Sequence, residues 1–231
     1  GRETLAKVAG KNHHNGSLNP KAHLRSEVSE RQVLGAPIVA WPFGLYDCCP
    51  TTDGAAAAVL CRAELARGFR PDYVLVEGMG LAVTSGRPWF DPGFEYVGFP
   101  ATQAAARQAY RMAGVSDPCR ELDLAVVHDC FTWTELANYE DLGFCRPGEG
   151  GAFVGEGRST LTGDLPVNPS GGLKSFGHPI GASGVRMIYE VATQLRAQAG
   201  ERQVRGATRG LVHNLGGPGA VACVLVFGMP S

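Results

Sequence analysis

The chain predicts a layered α/β fold, with a sheet covered by helices on both faces. Segments of strand character alternate with segments of helical period. The strand segments are also near-continuously apolar, as strands buried on both faces are. Three chemistry-bearing segments stand at the ends of these elements: His128-Asp129-Cys130-Phe131, the turn around His178, and His213-Asn214-Leu215-Gly216-Gly217. In open α/β folds, sites gather at such ends.

Each element can be justified from its residues in order. Residues 1–50 are polar, with little periodicity, and read as a loop or a helical excursion. The pair His13-His14 reads as solvated rather than as two ligands. Residues 52–65 (TDGAAAAVLCRAEL) open with a turn and continue as a run of small apolar residues that must pack closely against something. Residues 73–79 (YVLVEGM) are a buried-strand candidate. Residues 100–113 read as a helix, with Pro100 in its first turn and Gly114 as its stop. A second strand, 122–127 (LDLAVV), runs directly into His128, and residues 132–142 look helical. Residues 185–198 are helical by period, with Ile188, Val191, Ala192 and Leu195 on one face. Residues 210–214 and 220–227 read as strands joined across Leu215-Gly216-Gly217-Pro218-Gly219. No internal repeat is evident.

Composition narrows the class. With 231 residues the chain is long enough for a substantial core. Charged residues are 19% and the formal net charge is −1, which gives neither a nucleic-acid footprint nor a surface that seeks anionic lipid. No apolar run approaches the roughly 18 residues of a membrane span. The polar N-terminus, which starts at Gly1, has no signal-peptide pattern. The seven cysteines are an odd number, mostly in or beside apolar segments, a reduced and cytoplasmic pattern. There is no CxxC, and the histidines lack metal-ligand spacing, so no metal is expected. The final Met229-Pro230-Ser231 is not a Ser-Lys-Leu address, which leaves the cytoplasm as the expected compartment.

The most informative stretch is 168–184, NPSGGLKSFGHPIGASG. Pro179 biases His178 away from α geometry, and the surrounding glycines permit backbone conformations closed to other residues. The imidazole is therefore presented by a turn. A thiol and two or three imidazoles brought together suit chemistry α to a thioester. Glycines beside them allow backbone N–H groups to approach an oxyanion.

These segments resemble the thiolases, in particular the sterol-carrier-protein-2 type with its archaeal acetoacetyl-CoA and lipid-transfer thiolase-like members. The resemblance rests on DCCPTTDGAAAA (47–58), HDCFTWTELANYEDLGFC (128–145), NPSGGLKSFGHPIGASG (168–184) and HNLGGPGA (213–220). It implies the layered α-β-α-β-α thiolase fold, of which this chain supplies mainly the C-terminal half. On that reading residues 1–66 are the tail of a loop domain and the end of the N-terminal half, and residues 67–231 are the C-terminal domain.

The resemblance also implies roles. His178 activates a nucleophilic cysteine and helps form an oxyanion hole, His128 holds a water in a second oxyanion hole, and Cys130 is the acid/base at the acyl carbanion. His213, Asn214, Gly216, Gly217, Ser170 and Gly171 fall in the substrate and oxyanion vicinity. The family's acyl-accepting cysteine has no match in this chain, and Cys48 and Cys49 read as packing. The implied activity is acyl transfer on acyl-CoA or 3-ketoacyl-CoA thioesters, by Claisen condensation or thiolytic cleavage. The coenzyme A thioester is then the substrate, with no bound cofactor, and the full-length protein is a homo-oligomer. Two alternatives stand beside it. One is a retro-aldolase for steroid side-chain CoA esters, paired with an OB-fold DUF35 partner and with Tyr139 as a candidate residue. The other is a non-catalytic half-thiolase subunit that binds a CoA ester or lipid.

Overall fold

The computed structural model describes residues 1–85, 92–94, 97–217 and 219–230. Pro218, in the loop between the last two strands, and the terminal Ser231 lie outside the described residues. The N-terminal helix α1 spans Arg2–Ser17. After it come α2 (Glu30–Gly35), the short strands β1 (Ile38–Ala40) and β2 (Phe43–Gly44), and α3 (Ala63–Phe69). Then come β3 (Leu75–Val83), α4 (Pro100–Ala113), α5 (Pro118–Glu121), β4 (Leu124–Val126), α6 (Thr132–Asp141) and α7 (Gly150–Gly155). The chain closes with α8 (Gly172–Ser175), α9 (Ser183–Leu195), β5 (Arg209–Gly216) and β6 (Val221–Gly228). No helix of the described residues is long and apolar enough to cross a membrane.

The main sheet has the order β3-β6-β5-β4. β4 runs parallel to β5, while β6 is antiparallel to both β5 and β3. On its far side β4 also receives residues 166–168: Ala125 N–H donates to Pro166 O at 2.9 Å and Asn168 N–H to Ala125 O at 2.8 Å. That extra pairing makes β4 an interior strand, which is why all three of its residues are buried.

Side-chain alternation divides the core between two faces. Leu124, Val126 and Val212 pack with Met187, Val191 and Leu195 of α9. Ala125, Val127, Leu211, Leu215, Val224 and Val226 pack with the alanines of α4. Period-2 alternation along the strands sends successive residues to opposite helices. The helix α4 lies flush on β3 because Gly78 and Gly80 have no side chain: a Cβ at either would overlap the Ala109 or Ala105 carbonyl.

Three expectations fail here. Residues 73–79, expected as a buried strand, run into the half-exposed β3, where Val76 and Met79 stand 42% and 58% exposed; residues 2–17, read as loop or helix, form a regular helix. The buried face of α1 is apolar in its first half, with Leu5, Ala6, Val8 and Ala9, and polar in its second, with Lys11, Asn12 and Asn15. Within α1, His13 is buried and meets Tyr46 edge-on at 5.6 Å, while His14 alone is solvated, beside Glu27 at 2.9 Å. The run 52–62 forms no regular element, and Val59 and Leu60 stand 98% and 78% exposed. Within the described residues nothing packs on those two side chains closely enough to bury them.

Candidate active site

β4 ends at Val126, and a buried polar network fixes the segment that carries His128 and Cys130. Asn168 sits in the left-handed region (φ +56°), a conformation that asparagine tolerates. Its Oδ1 accepts the Val127 N–H at 2.9 Å, and its Nδ2 donates to Glu135 at 2.7 Å. Asn138 Nδ2 donates to the His128 carbonyl at 2.7 Å. Asp129 is fully buried; its Oδ1 accepts the Leu173 N–H at 2.6 Å, and its Oδ2 accepts Asn12 Nδ2 at 2.8 Å. Lys11 reaches Glu135 at 2.9 Å and the Val167 carbonyl at 2.7 Å. Burial and the neighbouring Glu135 raise the Asp129 carboxyl above the usual range, against the pull of Lys174. Such groups tolerate burial only because each is paired.

Gly177 (φ +107°) leads into His178, which bridges to Thr51 as extended backbone. The first residue of α9, Ser183, donates its hydroxyl to the Pro179 carbonyl at 3.0 Å. The single hydroxyl proton is thereby used, so the 2.7 Å contact between Ser183 Oγ and His178 Nδ1 has the ring as donor. His178 is then the Nδ1–H tautomer, with a lone pair on Nε2. Burial and the nearby Arg186 lower its pKa.

The His128 ring meets His178 edge-on, centroids 5.2 Å apart at 86°. Its Nδ1 lies 3.0 Å from Asn214 Oδ1, so Nδ1 donates and Nε2 accepts. Burial pushes the His128 pKa down to about 4, partly opposed by the Asn214 bond. Both imidazoles are therefore neutral at pH 7. Cys130 is half-buried, with Sγ 3.7 Å from Thr134 Oγ1, and burial raises its thiol. The arrangement offers two neutral bases side by side and a protonated thiol two residues from one of them.

The structure thus brings His178, His128 and Asn214 together, with Cys130 on the same segment as His128. It sends His213 elsewhere. His213 points to the α4 face, where Nε2 lies 3.0 Å from Thr102 Oγ1, and complete burial lowers its pKa to about 3. Neighbouring residues of β5 face opposite ways, so Asn214 and His213 cannot share a site. Ser170 and Gly171 are packed against the end of α1: Asn19 Nδ2 donates to the Ser170 carbonyl at 3.0 Å, and Gly171 abuts the Gly16 backbone, while the Ser170 hydroxyl faces Arg186. Gly216 and Gly217 close β5 at the hairpin, Gly217 at φ +58°. Tyr139 is fully buried and donates to Glu135, so it presents no hydroxyl to the site. Sequence reasoning missed Asn12, Lys11 and Glu135, which belong to the network beneath the site, and gave no role to Ser183 although it stands inside the motif.

Beyond the His178 turn lies a cavity of about 620 Å³ whose lining includes Lys21, His23, Asp53, Phe176 and Arg186. The Arg186 guanidinium stacks on Phe176 at 4.2 Å and donates from Nη1 to Ser170 Oγ at 3.3 Å.

Fold and site together define a thiolase-type unit, and the chain belongs to the thiolase family: residues 95–229 match the family described as thiolase C-terminal domain-like. It is 44% identical over 226 residues to the acetyl-CoA acetyltransferase of Methanothermobacter thermautotrophicus, covering 98% of this chain and 58% of that protein. It is 38% identical over 235 residues to sterol carrier protein 2 of Oryctolagus cuniculus, covering 99% of this chain and 42% of that protein. A solved structure described as "Ltp2-ChsH2(DUF35) aldolase" shares the fold, with a TM-score of 0.85 at 24% identity, over 99% of this chain and 58% of that one. The chain therefore spans 58% or less of the lengths of these relatives.

Proposed function

We propose that this chain carries the base and oxyanion-binding side of a thiolase-type acyltransferase acting on acyl-CoA or 3-ketoacyl-CoA thioesters. The observation that carries the reading is the contact between His178 Nδ1 and Ser183 Oγ at 2.7 Å, with the His178 ring 5.2 Å from that of His128; with the proton on Nδ1, Nε2 is left to take another.

On this reading Nε2 of His178 removes the proton of a cysteine thiol supplied by a segment that no residue here matches. The thiolate adds to the thioester carbonyl, the oxyanion collapses, and coenzyme A leaves as the acyl group passes to the cysteine. His128, donating from Nδ1 to Asn214, has an Nε2 lone pair that accepts a hydrogen from water. That water turns its second hydrogen toward the enolate oxygen of the other thioester. The Cys130 thiol, protonated at rest because burial raises it, gives its proton to the α-carbon in cleavage, and in condensation the thiolate left by that same transfer takes a proton back. The thioester is the substrate, with no resident cofactor. Within the same reading, residues 1–66 and 67–231 divide between the two halves of the fold, the whole protein assembles as a homo-oligomer, and it works in the cytoplasm.

The test is thiolysis of a 3-ketoacyl-CoA by the whole polypeptide. His178→Ala and Cys130→Ala are each expected to lower the rate by about two orders of magnitude or more. Rates near the wild type in either variant overturn the assignment.

A further inference from the structure

Cys48 and Phe131 form an antiparallel bridge, which sets the next pair, Cys49 and Cys130, opposite one another. The Cys49 N–H donates to the Cys130 carbonyl at 2.9 Å. Opposed residues of an antiparallel pair have Cα atoms about 4.5 to 5.5 Å apart and side chains on the same side. That spacing lies within the range a disulfide spans. Both side chains pack into the same apolar cluster under α9, and both thiols are free and half-buried, within reach of a small oxidant. Cys48 differs: its Sγ contacts the Gly44 carbonyl instead. The buried Lys174 ammonium, fixed on the Asp47 carbonyl at 2.6 Å, is the cation that favours thiolate at both positions.

We propose that Cys49 and Cys130 form a reversible disulfide, a redox site built into the strand pair that presents the acid/base thiol. The oxidant is a hydroperoxide. One thiolate attacks the peroxide oxygen, an S–O bond forms, the O–O bond breaks and the departing hydroxide takes up a proton to leave as water. The second thiolate then attacks that sulfur, the S–S bond forms, and hydroxide departs to become water. Two thiols are oxidised by two electrons and one hydrogen peroxide is reduced to two waters. Burial pushes both thiols up, Cys49 to about 11, so the bond forms slowly and calls for excess peroxide. Closing it removes the Cys130 proton, a consequence for catalysis that rests on the role proposed above; the linkage itself does not.

The experiment treats the protein with excess hydrogen peroxide, alkylates the remaining thiols, and maps disulfides in a non-reducing digest. The expected result is a Cys49–Cys130 linkage, reversed by dithiothreitol, with two of the seven thiols lost. Cys49→Ser abolishes the linkage and Cys48→Ser leaves it in place, with both variants first checked for wild-type thermal unfolding. A free Cys130 under these conditions, or its pairing with Cys48, overturns the proposal. A mapped linkage with no loss of thiolysis leaves the redox site standing and refutes the catalytic role of Cys130.

Discussion

Asp129 Oδ1 accepts the Leu173 backbone N–H at 2.6 Å, and that bond joins the segment bearing His128 and Cys130 to the segment that leads into His178. The two histidines come from segments far apart in sequence, one just past the end of β4 and one in the turn before α9, and this stitch joins those segments. Gly172 lies against it at φ +61°, where a Cβ would overlap the Asp129 carboxylate. Gly172→Ala is therefore expected to destabilise the protein by about 2 kcal/mol or more, through both the left-handed backbone and the steric conflict. Urea unfolding reads this directly, and an unchanged midpoint would refute it.

On the role proposed for His178, Ser183 acts through it, its Oγ lying 2.7 Å from Nδ1. Ser183→Ala releases Nδ1 and lets the ring exchange tautomers, so thiolysis by the whole polypeptide is expected to fall about tenfold, less than for loss of the imidazole. Ser183→Thr keeps the hydroxyl and should recover most of the rate. Equal rates for wild type and the alanine variant would show that the bond sets no tautomer.

The buried pair Lys11–Glu135 makes a sharper demand on stability. Lys11→Met leaves Glu135 charged, buried and without its cation, at an expected cost of about 3 kcal/mol. Neutralising the partner as well, with Glu135→Gln, is expected to cost less than the sum of the two single changes. Strict additivity in a double-mutant cycle by chemical denaturation would mean that the two charges do not interact.

Acid should unfold this protein through its neutral histidines. His128 and His213 have folded pKa values of about 4 and about 3, below the ordinary 6.5. As the pH falls below 6.5 these two histidines take up protons in the unfolded chain that they refuse in the folded one, so the stability they contribute is full above that value and declines toward pH 4 and below. His213→Asn removes one of these groups and is expected to flatten the decline over the same range, seen as a smaller drop in melting temperature. An equally steep decline in that variant would remove His213 as a cause.

What the residues announced and what they concealed have physical reasons. Helices α4 and α9 and strands β3, β5 and β6 were legible because each is amphipathic or apolar at its own period, and Pro100 and Gly114 bracket α4 as punctuation should. The His178 turn was legible because Gly177 and Pro179 restrict it. The placement of His213 was not, since adjacency in HNLGG says nothing of which face each side chain takes until the strand is seen. Tyr139 failed as a site residue for a similar reason, being carried inward by α6 onto Glu135. Helix α1 was half-hidden because its second half is held by amides and a lysine; the signal that could have found it was Leu5, Ala6, Val8 and Ala9 at helical spacing in its first half.

That polar anchoring has a consequence for how the molecule assembles. The partners of Lys11, Asn12 and Asn15 lie 117 to 156 residues further along the chain. The first half of α1 can pack Ala6 and Ala9 on Val28 and Val33 nearby, but its polar second half gains little from docking until those partners exist, and short helices are marginal alone in water. During synthesis α1 leaves the ribosome before any of them, yet its docking depends on contacts made across most of the chain, the kind whose loop-closure cost slows folding. The second half of α1 is thus made before the partners that secure it, and in hydrogen exchange after refolding its amides should gain protection after those of β5 and β6.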